Sequence, residues 1–133
     1  MLDKNKLIVE AINNAFKEDI GDGDHSSLAC IPKNSQNSAS LFIKDSGVLA
    51  GVEIAEKVFS LYGEFTFKKC IEDGSFVKSG DIAFEVKGSS QGILACERIV
   101  LNIMQRMSGI ATQSSHINKL ISGTQTKLLD TRK

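Results

Sequence analysis

Leu7, Ile8, Ala11, Ile12, Ala15 and Phe16 recur with a helical period near the start of the chain, so they share one face of a predicted first helix. Asp3 stands at its N-cap position. Gly21-Asp22-Gly23-Asp24 supplies the turn chemistry that stops the helix near Asp19. From Ser26 to Asn37 the chain is polar and holds its only proline, Pro32; this stretch reads as a loop with at most a short strand. Ala39 to Lys44 predicts a strand. The glycine-bounded apolar run Gly47-Val48-Leu49-Ala50-Gly51-Val52 fits either a strand or a tight crossover. Ile54, Ala55, Val58, Phe59, Leu61 and Tyr62 then mark the buried face of a second helix closed by Gly63.

Beyond Gly63 the period falls to two. Phe65 and Phe67 alternate with polar residues, as do Ile82, Phe84 and Val86, with turns at Asp73-Gly74 and Ser79-Gly80-Asp81. The helical period returns from about Gln91 to Met107. Ser108-Gly109 predicts a break before a further helix through Ile117, Leu120 and Ile121, closed by Gly123. Thr126 to Asp130 reads as one strand, followed by Thr131-Arg132-Lys133. The order predicts an α+β domain with a helical extension. A strand feeding a loop with two adjacent cations opens a further strand–helix–strand unit, so the pattern implies a chain that stops partway into a larger architecture.

Composition narrows the function classes. The 133 residues carry 16 Lys plus Arg and 16 Asp plus Glu, a formal net charge of zero, which removes the electrostatic case for nucleic-acid binding. Hydrophobic residues at 41% and charged residues at 24% describe a chain that builds a core rather than a disordered one. No apolar run approaches the ~20 residues of a membrane span, and no signal-peptide pattern follows Met1. Cys30, Cys70 and Cys96 are odd in number and widely spaced. They read as small buried residues rather than a disulfide framework, zinc ligands or nucleophiles. A cytoplasmic protein is expected.

Three stretches offer candidate chemistry. On the long helix, Arg98, Asn102, Gln105 and Gly109 form a narrow polar stripe among Ile99, Val100, Leu101, Ile103, Met104 and Met107. A helix apolar around most of its circumference is expected to be buried, and arginine there needs an anionic partner. A structural ion pair, with Glu97 or a more distant acid, and a solvated face compete with a ligand carboxylate or phosphate gripped by the guanidinium fork. Asp130-Thr131-Arg132-Lys133 could hold similar oxygens at a strand end, or form a plain turn. In Gly21-Asp22-Gly23-Asp24-His25-Ser26-Ser27 the carboxylates and imidazole offer metal donors without EF-hand spacing. Local Asx-type hydrogen bonding is the stronger reading of that loop. His25 and His116 have no partner in sequence that makes a hydrolase triad.

Five blocks, in order along the chain, resemble the quinolinate phosphoribosyltransferases, or carboxylating nicotinate-nucleotide pyrophosphorylases. They are Glu18-Asp19-Ile20-Gly21-Asp22-Gly23-Asp24-His25-Ser26-Ser27, Gly47-Val48-Leu49-Ala50-Gly51, Glu97-Arg98-Ile99-Val100-Leu101-Asn102, Met107-Ser108-Gly109-Ile110-Ala111-Thr112 and Leu129-Asp130-Thr131-Arg132-Lys133. The resemblance implies an enzyme of de novo NAD synthesis. It joins quinolinate to phosphoribosyl pyrophosphate with Mg²⁺, giving nicotinate mononucleotide, pyrophosphate and CO2. It also implies a hammerhead-like open-sandwich N-terminal domain over residues 1–108. Residues 109–133 would then be the start of an α/β barrel, incomplete in this chain. A homodimer would cover each barrel with the partner's N-terminal domain.

By the same resemblance Arg98 reaches the quinolinate carboxylates across the dimer. Thr131, Arg132 and Lys133 match the substrate-binding loop after the first barrel strand. No residue is singled out as catalytic or as a metal ligand, and Mg²⁺ is expected mostly on residues outside this chain, so residues 1–133 alone are expected to be inactive. Two alternatives stay open. One is a molybdenum-linked phosphoribosyltransferase-like relative. The other is a lipoyl- or biotin-carrier-like module, raised by Asp73-Gly74-Ser75-Phe76-Val77-Lys78-Ser79-Gly80-Asp81 but lacking a carrier lysine motif.

Overall fold

The computed structural model describes residues 3–131. Helix α1 spans Lys4–Asp19, and the Asp3 carboxylate accepts from Asn5 N–H at 3.0 Å as its N-cap. Where a loop was expected, a short helix α2 runs over His25–Cys30. Its nucleating signal is Asp24, three residues before Ser27, placed to accept at the helix start. Strand β1 (Gln36–Phe42), strand β2 (Gly47–Val48) and helix α3 (Val52–Tyr62) follow. Strands β3 (Phe65–Lys69), β4 (Phe76–Val77) and β5 (Ile82–Ser89) precede helix α4, Ser90–Leu120.

The main sheet is antiparallel in the order β1-β5-β3, and β2 and β4 form a separate two-stranded ribbon. The register pairs Ala39 with Val86 and Phe67 with Val86 across the central strand. This puts Ala39, Leu41, Phe84, Val86, Phe65 and Phe67 on one face, against α3 and α4. The other face is polar: Lys68 and Glu85, directly opposite in register, form an ion pair at 2.8 Å. Phe59 of α3 sits with ring centroids 5.2 Å from Phe65 and 6.2 Å from Phe84, while Phe67 stacks on Phe84 at 4.6 Å. Full burial of rings such as Phe59 and Phe84 contributes about 1.5–3 kcal/mol each, so this aromatic layer anchors the helices to the sheet.

Helix α3 buries Val52, Ala55, Val58 and Phe59 as its period requires. Leu61 and Tyr62, expected inside, are about two-fifths exposed because they lie at the helix's last turn.

Helix α4 departs most from the sequence expectation. No break occurs at Ser108-Gly109; the helix is continuous for 31 residues. A lone glycine costs a helix only about 1 kcal/mol, which neighbouring good helix formers offset. Nor is the helix buried around most of its circumference. Ala95, Cys96, Ile99, Val100 and Met104 are buried, whereas Leu94, Leu101, Met107 and Ile110 face outward. The strand expected at Thr126–Asp130 carries no sheet pairing, since a strand needs a neighbour to satisfy its backbone.

Candidate functional site

Arg98 projects from the solvent side of α4. Its guanidinium Nη1 lies 3.5 Å from Asp19 Oδ1, at the C-terminal end of α1, and its side chain is 75% exposed. The arginine stripe is therefore a solvated face with a distant acidic partner, and not a charge buried in a helix packed all round. Asn102, Gln105 and Gly109 share that exposed face. An exposed pair at such a distance is worth about 0–1 kcal/mol. The guanidinium is thus presented from α4 and available to a stronger anion.

Asp19 belongs to the first of the resembling blocks and Arg98 to the third, so folding brings those two blocks together. Sequence reasoning named the block but not Asp19 as the partner. The available signal was an acidic residue at a helix C-terminus, where the macrodipole does not favour it and a cation from elsewhere does.

Asp24 occupies the loop that offered metal donors. Its carboxylate accepts from Ser27 Oγ at 2.5 Å and from Ser27 N–H at 3.3 Å. The Ser27 hydroxyl, then the Ser27 N–H, hold its carboxyl below the ordinary carboxylate value. Both oxygens serve the start of α2, which is the local hydrogen bonding that the loop's composition indicated. Asp22 Oδ1 and His25 Nε2 meet at 3.1 Å on the surface. Mg²⁺ asks for several converging oxygen donors. Among the described residues no group of three or more His, Cys, Asp or Glu side chains could hold a metal ion. Asp22, Asp24 and His25, engaged in these local hydrogen bonds, do not fit a Mg²⁺ site.

Thr131 is exposed, and no hydrogen bond or ion pair joins it to Arg98 among the described residues. Arg132 and Lys133 lie outside the described residues. The cysteines divide. Cys96 is buried, and burial pushes its thiol up to about 12. Cys30 and Cys70 are exposed, contrary to the expectation of three buried residues; the first ends the short α2 and the second follows β3. All three are free thiols.

A groove of about 510 Å³ opens between β1 and α4, lined by Ala39, Leu41, Ile93, Leu94, Val100 and Leu101 among others. Arg98 does not line it, and its mostly apolar wall carries one cation, Lys44, and one acid, Glu97. No helix among the described residues is long and apolar enough to cross a membrane.

Comparison with known proteins gives a consistent result. The family profile described as "Quinolinate phosphoribosyl transferase, N-terminal domain" matches residues 24–108. The chain is 36% identical over 126 residues to the probable nicotinate-nucleotide pyrophosphorylase (carboxylating) of Bacillus subtilis, covering 92% of this chain and 42% of that protein. It is 42% identical over 105 residues to the chloroplastic nicotinate-nucleotide pyrophosphorylase (carboxylating) of Oryza sativa subsp. japonica, covering 77% of this chain and 28% of that one. The crystal structure of NadC from Streptococcus pyogenes superposes with a TM-score of 0.92 at 34% identity, over 99% of this chain and 47% of that chain. The nicotinate-nucleotide pyrophosphorylase of Francisella tularensis gives a TM-score of 0.89 at 30% identity, over 98% of this chain and 47% of that chain. This chain thus spans less than half the length of these relatives. With the mixed helix-and-sheet fold, the ordered blocks and the profile match in agreement, the chain belongs to the quinolinate phosphoribosyltransferase family, and residues 24–108 match that family's N-terminal domain.

Proposed function

We propose that this chain serves phosphoribosyl transfer to quinolinate, with nicotinate mononucleotide, pyrophosphate and CO2 as products, in a cytoplasmic homodimer whose two sites are shared between subunits. The observation that carries the reading is Arg98, a fork-shaped cation presented by a long helix and opposed, among the described residues, by one loose carboxylate. Quinolinate has two adjacent carboxylates, which bidentate guanidinium contacts suit. Each charge-assisted hydrogen bond contributes about 1.5–3 kcal/mol.

In the reaction the pyridine nitrogen bonds to the sugar carbon as pyrophosphate leaves. The carboxylate beside the nitrogen then departs as CO2, and its electron pair takes up a proton. Holding the dicarboxylate in line with the sugar carbon, away from water, accelerates such a step through orientation and preorganised charge. Thr131, Arg132 and Lys133 would supply the remaining grip, and residues 109–133 would lead into the barrel domain. Mg²⁺ would arrive with phosphoribosyl pyrophosphate, whose hard oxygens it prefers. Three free thiols, two of them exposed, accord with a reducing compartment.

The test uses the full-length native protein. Arg98→Ala should weaken quinolinate handling by about thirty-fold to several thousand-fold, the ~2–5 kcal/mol lost with a desolvated charge partner, and phosphoribosyl pyrophosphate far less. Arg98→Lys should recover little. Near-normal quinolinate affinity in both folded variants refutes the role. Co-refolding Arg98→Ala with Lys133→Ala should return activity to roughly a quarter of wild type, because mixed two-fold dimers keep one intact site. No recovery, with subunit exchange confirmed by mass, refutes the shared site.

A further inference from the structure

Two hydroxyls of α4 finish the backbone hydrogen bonding of the segment around β2. That strand is paired on one edge only, with β4. Along the segment the bonds alternate in direction. On the β4 side, Leu49 N–H donates to Ser75 C=O at 2.9 Å and Leu49 C=O accepts from Gly74 N–H at 2.7 Å. On the other side, Val48 N–H donates to Thr112 Oγ1 and Ala50 N–H donates to Ser108 Oγ, both at 2.9 Å. The Ser108 hydroxyl donates in turn to Ala50 C=O at 3.1 Å.

The spacing explains how a helix can stand in for a strand. Four residues of α-helix rise about 6.0 Å, and two residues of strand advance about 6.6 Å. Ser108 and Thr112, one helical turn apart on one face, therefore fall opposite Ala50 and Val48, running antiparallel to them. Close approach depends on Gly47, where a Cβ would lie 2.5 Å from Thr112 Oγ1. Gly51, at φ +103°, lets the chain turn into α3 beside Met104 and Met107.

The contact also carries an unusual share of the helix's attachment. The buried residues of α4 end at Met104. From there to Leu120, the only side-chain hydrogen bonds that α4 makes to the rest of the described residues come from Ser108 and Thr112.

We propose that Ser108 and Thr112 are positioning residues. They form a two-rung hydroxyl ladder at the free edge of β2 that sets the direction in which α4 leaves the sheet, and with it the direction of the chain that follows Leu120. The catalytic consequence rests on the reading that Thr131, Arg132 and Lys133 meet substrate; the ladder itself does not.

Nitroxide labels on Lys57→Cys in α3 and His116→Cys in α4, both exposed positions, report the helix direction when Cys30 and Cys70 are replaced by serine. The chain with the ladder intact, and Thr112→Ser, should give one narrow distance distribution. Ser108→Ala combined with Thr112→Val should broaden or displace it. In the same variant, amide exchange at Val48 and Ala50 should accelerate about five- to ten-fold relative to Leu49, as loss of one hydrogen bond predicts. Thr112→Val alone is read in the same way, at Val48, if the double variant fails to fold. An unchanged distance distribution and unchanged exchange in a folded variant overturn the ladder.

In the full-length enzyme, Thr112→Val should lower kcat/KM and Thr112→Ser should restore it. Unchanged kcat/KM alongside a broadened distribution overturns the link to the site. A native protein that makes no nicotinate mononucleotide would overturn the functional reading, while the distance and exchange measurements still decide the ladder.

Discussion

Asp73 caps a helix that begins 21 residues earlier in the sequence, and removing it should be felt in the stability of the domain. Gly51 occupies the N-cap position of α3 and offers no side-chain acceptor. The Asp73 carboxylate fills that role from the β3–β4 connection, accepting from Val52 N–H at 2.9 Å and from Glu53 N–H at 3.2 Å. Loss of a helix N-cap costs about 0.5–2 kcal/mol, and hydrogen bonds to a charged acceptor reach about 1.5–3 kcal/mol. Asp73 is half-buried, so water replaces part of what is lost. Asp73→Ala should therefore destabilise the chain by about 1–2 kcal/mol. For a domain of this size that corresponds to a fall in Tm of about 3–8 °C.

Urea unfolding followed by circular dichroism reads the change as a shift in midpoint at constant slope. Asp73→Asn, which keeps an acceptor without the charge, should lose about half as much. A midpoint for Asp73→Ala within about 0.3 kcal/mol of the unmodified chain, inside the ordinary scatter of surface substitutions, would refute the capping role and return Asp73-Gly74 to a plain turn.

Asp24 makes stability depend on pH. Its carboxyl is held below 3.8 in the folded chain by the Ser27 hydroxyl and N–H, so its contribution is present above that value and disappears as pH falls through the lowered one. The stability advantage over Asp24→Asn should accordingly close below pH ~4; an advantage that persists or grows there would contradict it. Iodoacetamide should modify Cys30 and Cys70 in the folded chain and reach Cys96 only after unfolding, because burial pushes that thiol up to about 12. Mass spectrometry showing three adducts under native conditions would count against it. Phe84→Ala, which empties the centre of the aromatic layer, should cost about 3–5 kcal/mol; a loss under 1 kcal/mol by urea unfolding would mean the layer repacks freely.

Elements with a strong period and a local stop signal were legible in the chain. Helix α1 begins at the Asp3 cap and ends at Asp19 as its spacing requires. The alternation of Phe65, Phe67, Phe84 and Val86 places these residues on the core face of the sheet. Failures came where a local signal was outweighed or ambiguous. Ser108-Gly109 reads as a helix break, but the serine hydroxyl is engaged with Ala50 across the fold and the helix continues. No one-dimensional pattern reports that contact.

Exposed Leu94, Leu101 and Ile110 look identical to buried residues in a period analysis, because periodicity reports which residues share a face and not what covers it. Arg98 was legible as a charge needing a partner, but the partner itself depends on α1 crossing beside α4. The ordered blocks, rather than the period, carry the likeness to the family, and the profile match over residues 24–108 agrees with them.

The uninterrupted length of α4 turns a local contact into leverage. The helix is 31 residues long, about 46 Å at 1.5 Å per residue, and the twelve residues from Gly109 to Leu120 extend about 18 Å past Ser108. A 10° change in tilt at that point would swing the helix end by about 3 Å. A binding constellation tolerates only about 0.5 Å of error, so an arm of this length carrying the proposed substrate-binding segment would have to hold its angle to within roughly 2°. A break at Gly109 would have decoupled the two halves and made that tolerance unreachable. A continuous helix transmits every degree, which places the demand for precision on the few atoms at its fulcrum.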